Sequence, residues 1–343
     1  MRTITLFFSF VCLAVLSQEP TGESKRAAKE AYNQGVANIE NNNYEMAITN
    51  FTKAIEVNPQ FDLAYLQRGK LKILINKVDE ALLDINKSLA INPALGEAYF
   101  CRGYIKFLKK EYAVALQEIT IAIQNNYQEP EVYYFRGLVR YKLNDYTNAI
   151  IDFSYAIDKK YDFPYAYHER GSVKRAMNDN KGAIHDYEQA LNLDAQLAVA
   201  HNNLGSVKKK TGNYQGAVES YSKAIEIDVK YDKAYNNRAT AQYYLNEHEK
   251  ALNDMEQAVM LKYNAAIVNN NIGVVKAKME DFKGAIEYFT KAIEADKNYG
   301  RAYLNRGMAK ELAGDTEGAC KDWQQAQKLQ MSDAEIYLKD CNK

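Results

Sequence analysis

The chain is 343 residues long and carries 44 Lys+Arg against 44 Asp+Glu, a formal net charge of zero. That balance excludes the one-sided excess expected of a strongly basic nucleic-acid binder, a polybasic membrane binder or an acidic disordered tail. With 47% hydrophobic residues and five Pro the chain should fold, as one large domain or two, and 27 Tyr against one Trp is a skew that needs a structural reason.

The first segment, MRTITLFFSFVCLAVLS, has one Arg near its start, an apolar run from Leu6 to Leu16, and then small Ser17. The run is too short to span a bilayer, which takes roughly 20 residues. With Val15 and Ser17 at the −3 and −1 positions, residues 1–17 read as a secretory signal peptide cleaved before Gln18. A bacterial lipoprotein would need its Cys at the cleavage site, whereas Cys12 lies mid-run behind Val11. The expectation is an exported protein with no integral membrane segment after cleavage, periplasmic if bacterial and secreted otherwise. Residues 18–27 read as a polar linker.

From residue 28 onward one pattern repeats. Gly stands at 35, 69, 103, 137, 171, 205, 273 and 307, every gap being 34 residues or a multiple of it, with Ala239 in the missing slot. Ala47, Ala81, Ala115, Ala149, Ala183, Ala217, Ala251, Ala285 and Ala319 keep the same step. Placing that Gly at position 8 and that Ala at position 20 divides the chain into nine gapless units, 28–61, 62–95, 96–129, 130–163, 164–197, 198–231, 232–265, 266–299 and 300–333. Positions 2–14 and 15–28 each show apolar residues at helical spacing, so each unit predicts two antiparallel helices. The small residues at 8 and 20 remove bulk where the helices touch. Tyr65, Tyr99, Tyr133, Tyr167, Tyr235 and Tyr303 at position 4, and Phe51, Phe153, Tyr187, Tyr221, Phe289 and Trp323 at position 24, flank that contact. Pro59, Pro93, Pro130 and Pro164 fall at unit boundaries and none falls inside a helix.

This pattern closely resembles the tetratricopeptide repeat family, whose unit is a 34-residue helix–turn–helix. The resemblance implies an all-α chain: an α-solenoid of nine tandem repeats coiled into a right-handed superhelix with a concave groove. Residues 334–343 continue the phase, with Tyr337 at position 4, and read as a C-terminal cap helix. It also implies a protein–protein interaction scaffold rather than an enzyme. The departures lie at positions 7 and 11, usually Leu and Tyr in the family and here mostly Arg and Lys.

Those departures are themselves patterned. Arg68, Arg102, Arg136, Arg170, Arg238 and Arg306 hold position 7, and the same six units carry an acid at position 23: Asp84, Glu118, Asp152, Asp186, Asp254 and Asp322. The other three units have neither, pairing Gln34 with Asn50, Leu204 with Ser220 and Ile272 with Tyr288. Matched presence and absence predicts an ion pair between the two helices of a unit, a structural role rather than a ligand grip. The basic column at position 11 (Lys72, Lys106, Arg140, Lys174, Lys208, Lys276, Lys310) reads as apolar stems with solvated heads.

In the family, positions 2, 5, 6, 9, 12 and 13 line the groove. In units 2 to 4 these include Leu66, Phe100, Tyr104, Phe107, Tyr134, Leu138 and Tyr141, an apolar candidate surface unless the side chains pack against one another between repeats. In units 6 to 9, Asn203, Asn237, Asn271 and Asn305 hold position 6, with Asn202, Asn236 and Asn270 beside them at position 5. Amides donate and accept, so such a ladder suits the backbone of an extended peptide; solvated groove residues are the competing reading. No unit combines Lys at 5 with Asn at 9, as a carboxylate clamp requires.

No phosphate loop, HExxH, GxSxG or Cys-x-x-Cys motif is present, and no cofactor or metal is expected. Of the four His, only His168 and His201 are placed to approach each other, which makes a weak metal site. Cys320, in the last repeat, and Cys341, at position 8 of the cap, suit a disulfide in an exported protein, two buried thiols being the alternative. The sequence therefore predicts a non-enzymatic scaffold that takes an extended segment or helix of another protein in its groove, with no nucleic-acid partner. The alternative is a cell-envelope carbohydrate binder using the aromatic groove.

Overall fold

A computed structural model describes residues 22–339 and 341. The chain divides into two compact units between Met177 and Asn178. The first holds α1 (Glu23–Glu40), α2 (Tyr44–Val57), α3 (Asp62–Leu74), α4 (Val78–Ile91), α5 (Gly96–Leu108), α6 (Tyr112–Gln124), α7 (Pro130–Lys142), α8 (Tyr146–Lys159) and α9 (Pro164–Ala176). The second holds α10 (Asn180–Leu193), α11 (Ala198–Lys210), α12 (Tyr214–Ile227), α13 (Asp232–Tyr244), α14 (His248–Met260), α15 (Ala265–Lys278), α16 (Phe282–Ala295), α17 (Gly300–Leu312), α18 (Thr316–Lys328) and α19 (Ala334–Leu338). Among the described residues every regular element is a helix, and within each unit consecutive helices pack on one another as tandem pairs, an α-solenoid arrangement.

The helices within a pair approach closely because one side chain is missing. A Cβ built on Gly35 would lie 2.7 Å from the Phe51 ring, on Gly137 2.8 Å from Phe153, on Gly205 2.8 Å from Tyr221 and on Gly273 2.6 Å from Phe289. Ala47, Ala81, Ala115 and their counterparts on the second helices are wholly buried, so bulk is excluded from both sides. Between repeats the contact is made by positions 3 and 10. Ala64 with Leu71, Ala98 with Ile105, Val132 with Val139, Ala166 with Val173, Ala200 with Val207 and Val268 with Val275 are all inaccessible or nearly so.

The turn between paired helices has a fixed form. One residue in each turn takes a left-handed conformation: Asn42, Asn76, Lys110, Asn144, Asn178, Asn246 and Glu280 at φ of 59–63°, and Gly212 and Gly314 at 84° and 89°. The next N–H then reaches back to a helix carbonyl, as Asn43 N to Asn38 O at 2.8 Å and Lys77 N to Lys72 O at 2.8 Å, closing the end of the first helix. Several second helices open on a side-chain cap: Asp145, Asp179, Asn213, Asp281 and Asp315 accept from the amide three residues on.

Two sequence expectations change at the ends. The polar linker assigned to 18–27 ends early, because α1 begins at Glu23; Glu23-Ser-Lys-Arg-Ala-Ala contains no helix breaker and places its acid in the first turn. The signal peptide, 1–17, lies outside the described residues. Of the cap helix assigned to 334–343, the described residues are helical over Ala334–Leu338, and Cys341 lies in a turn.

Candidate binding surface

The position-7 arginines lie between helices and each holds several partners. Arg68 donates Nε and Nη2 to Asp84 at 2.9 and 2.7 Å, Arg238 to Asp254 at 2.7 and 2.7 Å, and Arg306 to Asp322 at 2.8 and 2.7 Å. Arg136 grips Asp152 with contacts down to 2.6 Å, and Arg102 lies 2.8 Å from Glu118. Arg170 and Asp186, although of one repeat, fall on either side of the division between the two compact units, so that pair stays an expectation. The Asp partners are buried and Glu118 is half-buried, while the guanidiniums keep a solvent edge. Two further partners were not anticipated. Each of the six Arg lies over the Tyr three residues before it, 5.1–5.7 Å from the ring centroid. Arg68, Arg102, Arg170, Arg238 and Arg306 also donate Nη1 to position 25 of the preceding repeat: Thr52, Asn86, Ser154, Ser222 and Thr290, at 2.9–3.2 Å. The Arg is therefore a clip between repeats as well as within them.

The position-11 column departs from its expected role. Lys72, Arg140 and Lys310 turn their charged ends onto the same acids, at 2.9 Å from Asp84, 2.6 Å from Asp152 and 2.8 Å from Asp322. A carboxylate buried beside one cation still has lone pairs to satisfy, and the second cation satisfies them. Lys106 and Lys276 keep to exposed acids instead, Glu111 and Asp281.

The apolar candidate surface of the first unit is largely core. Leu66, Phe100, Tyr104 and Tyr134 are buried, 0–7% exposed, so they are not the open binding face the sequence implied. For the three rings the reason is Phe135, a position-6 ring that enters between repeats. Its centroid lies 5.8 Å from Phe100, 4.9 Å from Tyr104, 6.2 Å from Phe107 and 5.3 Å from Tyr134. Tyr134 also meets Phe163 at 5.0 Å, and Phe100 meets Tyr127 at 5.7 Å. Burial pushes the Tyr104 hydroxyl up to about 12 and raises Tyr134 well above its ordinary value. Phe107, Leu138 and Tyr141 remain half-buried at the rim. Beside this cluster lies an ion pair that the sequence does not advertise: Lys70, 1% exposed, reaches half-buried Glu97 of the next repeat at 2.5 Å. Burial and the Glu97 charge hold the neighbouring Cys101 thiol up and un-ionised.

In the second unit the same inter-repeat contact is made by amides. Asn237 Nδ2 donates to Asn202 Oδ1 at 2.9 Å, Asn271 to Asn236 at 3.0 Å and Asn305 to Asn270 at 2.9 Å. Asn202 Nδ2 is 3.4 Å from Asn203 Oδ1. The position-5 amides are buried, at 1–6% exposure, and the position-6 amides are half-buried, so the outer row is held in place by the inner one. Each of Asn237, Asn271 and Asn305 spends one N–H on this bond and keeps a carbonyl oxygen and a second N–H on a half-buried side chain. His201 in this unit bonds Ala195 O at 3.1 Å, and burial lowers its pKa; His168, in the first unit, lies 3.2 Å from Glu169. Among the described residues no group of three His, Cys, Asp or Glu is arranged to hold a metal, and no helix is long and apolar enough to cross a membrane. Cys320 and Cys341 are disulfide-bonded.

Tetratricopeptide repeat signatures match residues 26–61, 109–163, 198–231, 232–264 and 266–299, and a TPR repeat signature matches 171–212. The chain belongs to the tetratricopeptide repeat family. Solved tetratricopeptide structures share its fold. A tetratricopeptide repeat protein from Parabacteroides merdae matches with a TM-score of 0.57 and 16% identity, over 71% of this chain and 97% of its own. The C-terminal part of a TPR repeat-containing protein from Cytophaga hutchinsonii matches at 0.57 and 21%, over 70% and 99%. The Cut9–Hcn1 hetero-tetramer of APC/C matches at 0.53 and 14%, over 91% of this chain and 75% of that one. At these identities the likeness is one of fold alone. No curated protein matches the chain.

Proposed function

We propose that this tetratricopeptide array is a non-enzymatic scaffold that holds an extended segment of another protein along the first-helix face of its second unit. The observation that carries the reading is the bonded amide row Asn237, Asn271 and Asn305, set one per repeat on neighbouring first helices. A row fixed in this way loses little side-chain entropy when a ligand binds, and it meets backbone N–H and C=O groups, which every sequence offers. The aromatic reading, sugar stacking in the first unit, loses most of its rings to the core. Export is part of the same proposal. It is supported by the apolar run Leu6–Leu16 ahead of Ser17 and by a disulfide, which persists in oxidising compartments.

The test uses an array of unrelated extended peptides, each made with ordinary and with backbone N-methylated amides. The wild-type chain should retain a subset of the ordinary peptides and lose them on N-methylation. Asn237→Ala with Asn271→Ala should weaken retention at least tenfold with helical circular dichroism unchanged. Equal retention by the variant would remove the amide row from the binding face.

A further inference from the structure

The amide row is regular. Asn237, Asn271 and Asn305 make the same bond to the position-5 amide of the repeat before, at 2.9, 3.0 and 2.9 Å, so the rest of each side chain stands in an equivalent place. These bonds join α11 to α13, α13 to α15 and α15 to α17 directly, which is contact at ordinary helix packing distance, about 8–10 Å between axes. Successive rungs of the row are about that far apart.

The spacing selects among backbone conformations. An α-helix spends its backbone groups internally and offers none to the row. A β-strand rises about 3.3 Å per residue and turns alternate residues to opposite sides, so groups on one side recur every ~6.6 Å and fall out of step with the rungs. Polyproline II has three residues per turn and rises about 3.1 Å per residue, so every third residue faces the same way after about 9.3 Å. That advance matches one repeat. Polyproline II also makes no internal hydrogen bonds, so the N–H and C=O of each facing residue are open to an amide side chain. Three rungs take the first, fourth and seventh residues of such a segment.

The flank of the row suits the same ligand. Three residues on from each amide, on the same helix face, stand Thr240, Val274 and Met308, all half-buried. On α13 the strip runs on to Tyr244, which is exposed and stacked on Tyr214 with centroids 4.7 Å apart. A largely apolar strip with an aromatic end is a surface on which pyrrolidine rings pack. Proline has no N–H, so it fits the residues between rungs and fails at the residues that face them.

We propose that the amide row takes a polyproline-II segment of the partner protein, one turn per repeat, with Pro admitted at two positions of every three and excluded at the third. This rests on the amide row being the binding face, as proposed above.

The test uses the full chain and three nine-residue peptides, each fluorescein-labelled through a flexible linker, with affinity read by fluorescence anisotropy. One repeats Ala-Pro-Pro three times. The second has the same composition with its three Ala consecutive, so that only one of them faces a rung in any register. The third alternates Ala and Pro, the period of a strand. The Ala-Pro-Pro peptide should bind at least tenfold tighter than either of the others, and Asn237→Ala with Asn271→Ala should abolish that preference. Ala-Pro-Pro binding no tighter than the consecutive-Ala peptide, or no binding by it, would overturn the three-residue register, as would tighter binding of the alternating peptide. A preference that survives in the double variant would overturn it too. In each case the retention of ordinary extended peptides decides separately on the row itself: weakened by the double variant, the amide row remains the binding face; unchanged, it falls with the register. The wild-type comparison of the three peptides stands even if the double variant does not fold.

Discussion

Asp254 and Arg238 give the cleanest measure of what the inter-helix ion pair contributes. In repeats 2, 4 and 9 the acid also holds a second cation from position 11, but here that position is Gln242, so removal of one partner is not masked by another. Asp254→Ala leaves the Arg238 guanidinium with Ser222 Oγ at 3.0 Å, the Tyr235 ring at 5.7 Å and a side chain 21% exposed. Stripping one partner from a buried pair costs about 3–5 kcal/mol, and this remaining shelter sets the loss near the lower end, ~3 kcal/mol. The double change Arg238→Leu with Asp254→Ser copies Leu204 and Ser220, the combination that repeat 6 uses. There Ser220 Oγ donates to Gly216 O at 2.8 Å, so a serine at 254 has the matching acceptor four residues back. The double variant should recover about 2 kcal/mol of the loss. Urea unfolding followed by helical circular dichroism reads the difference, with hydrogen exchange in α13 and α14 as the local measure, because repeat arrays need not unfold in two states. In a unit of this size ~3 kcal/mol corresponds to roughly 6–12 °C in Tm. A double variant no more stable than Asp254→Ala would refute the pairing energetics.

Other sites give shorter tests. Gly273→Ala places a Cβ 2.6 Å from the Phe289 ring and should cost about 1–3 kcal/mol, part of which Phe289→Leu in the same chain should restore; denaturant midpoints measure both. Glu280 holds φ at 62° and bears no cap amide, so Glu280→Gly should raise stability by up to about 1 kcal/mol in the same assay. His201 has its pKa lowered by burial, so the unfolded chain binds its proton first. Its contribution is complete above the ordinary His range and declines as pH falls through that range, and His201→Gln should flatten the slope of stability between about pH 7 and 5. Thr290→Ala removes the hydroxyl that takes Arg306 Nη1 at 3.0 Å and should lower protection of the α16 and α17 amides, with a cost of about 1 kcal/mol.

The repeat phase was legible because it rests on volume. Only Gly fits where Phe51, Phe153 or Phe289 crosses the first helix, and a steric requirement leaves a column in the sequence. The ion pair was legible for the same kind of reason, since neither charge is tolerated alone. More could have been read by asking the same question of further columns. Tyr65, Tyr99, Tyr133, Tyr167, Tyr235 and Tyr303 share their repeats with the six Arg, whereas the three repeats without Arg have Ala31, His201 and Asn269 at that position. Position 25 tells a similar story. Thr52, Asn86, Ser154, Ser222 and Thr290 precede repeats with the Arg, while Glu188 and Glu256 precede repeats 6 and 8, which lack it.

The candidate surface was harder to read because a position lining one helix face does not state what the next repeat places over it. Position 6 of one repeat meets position 5 of the repeat before it, and that contact has two chemistries here. Where both are aromatic, as in Phe135 on Phe100, burial is favourable and the rings close into core, so an apparent apolar groove becomes packing. Where both are amides, as in Asn237 on Asn202, burial is tolerated only while hydrogen bonds are kept, which holds the outer amide at the surface with bonding capacity to spare. The pairwise match in type across a 35-residue offset (Asn202 with Asn237, Asn236 with Asn271, Asn270 with Asn305) is visible in the sequence alone. Scored that way, the sequence separates a seam that seals from a seam that still presents polar groups, and only the second has capacity for a ligand.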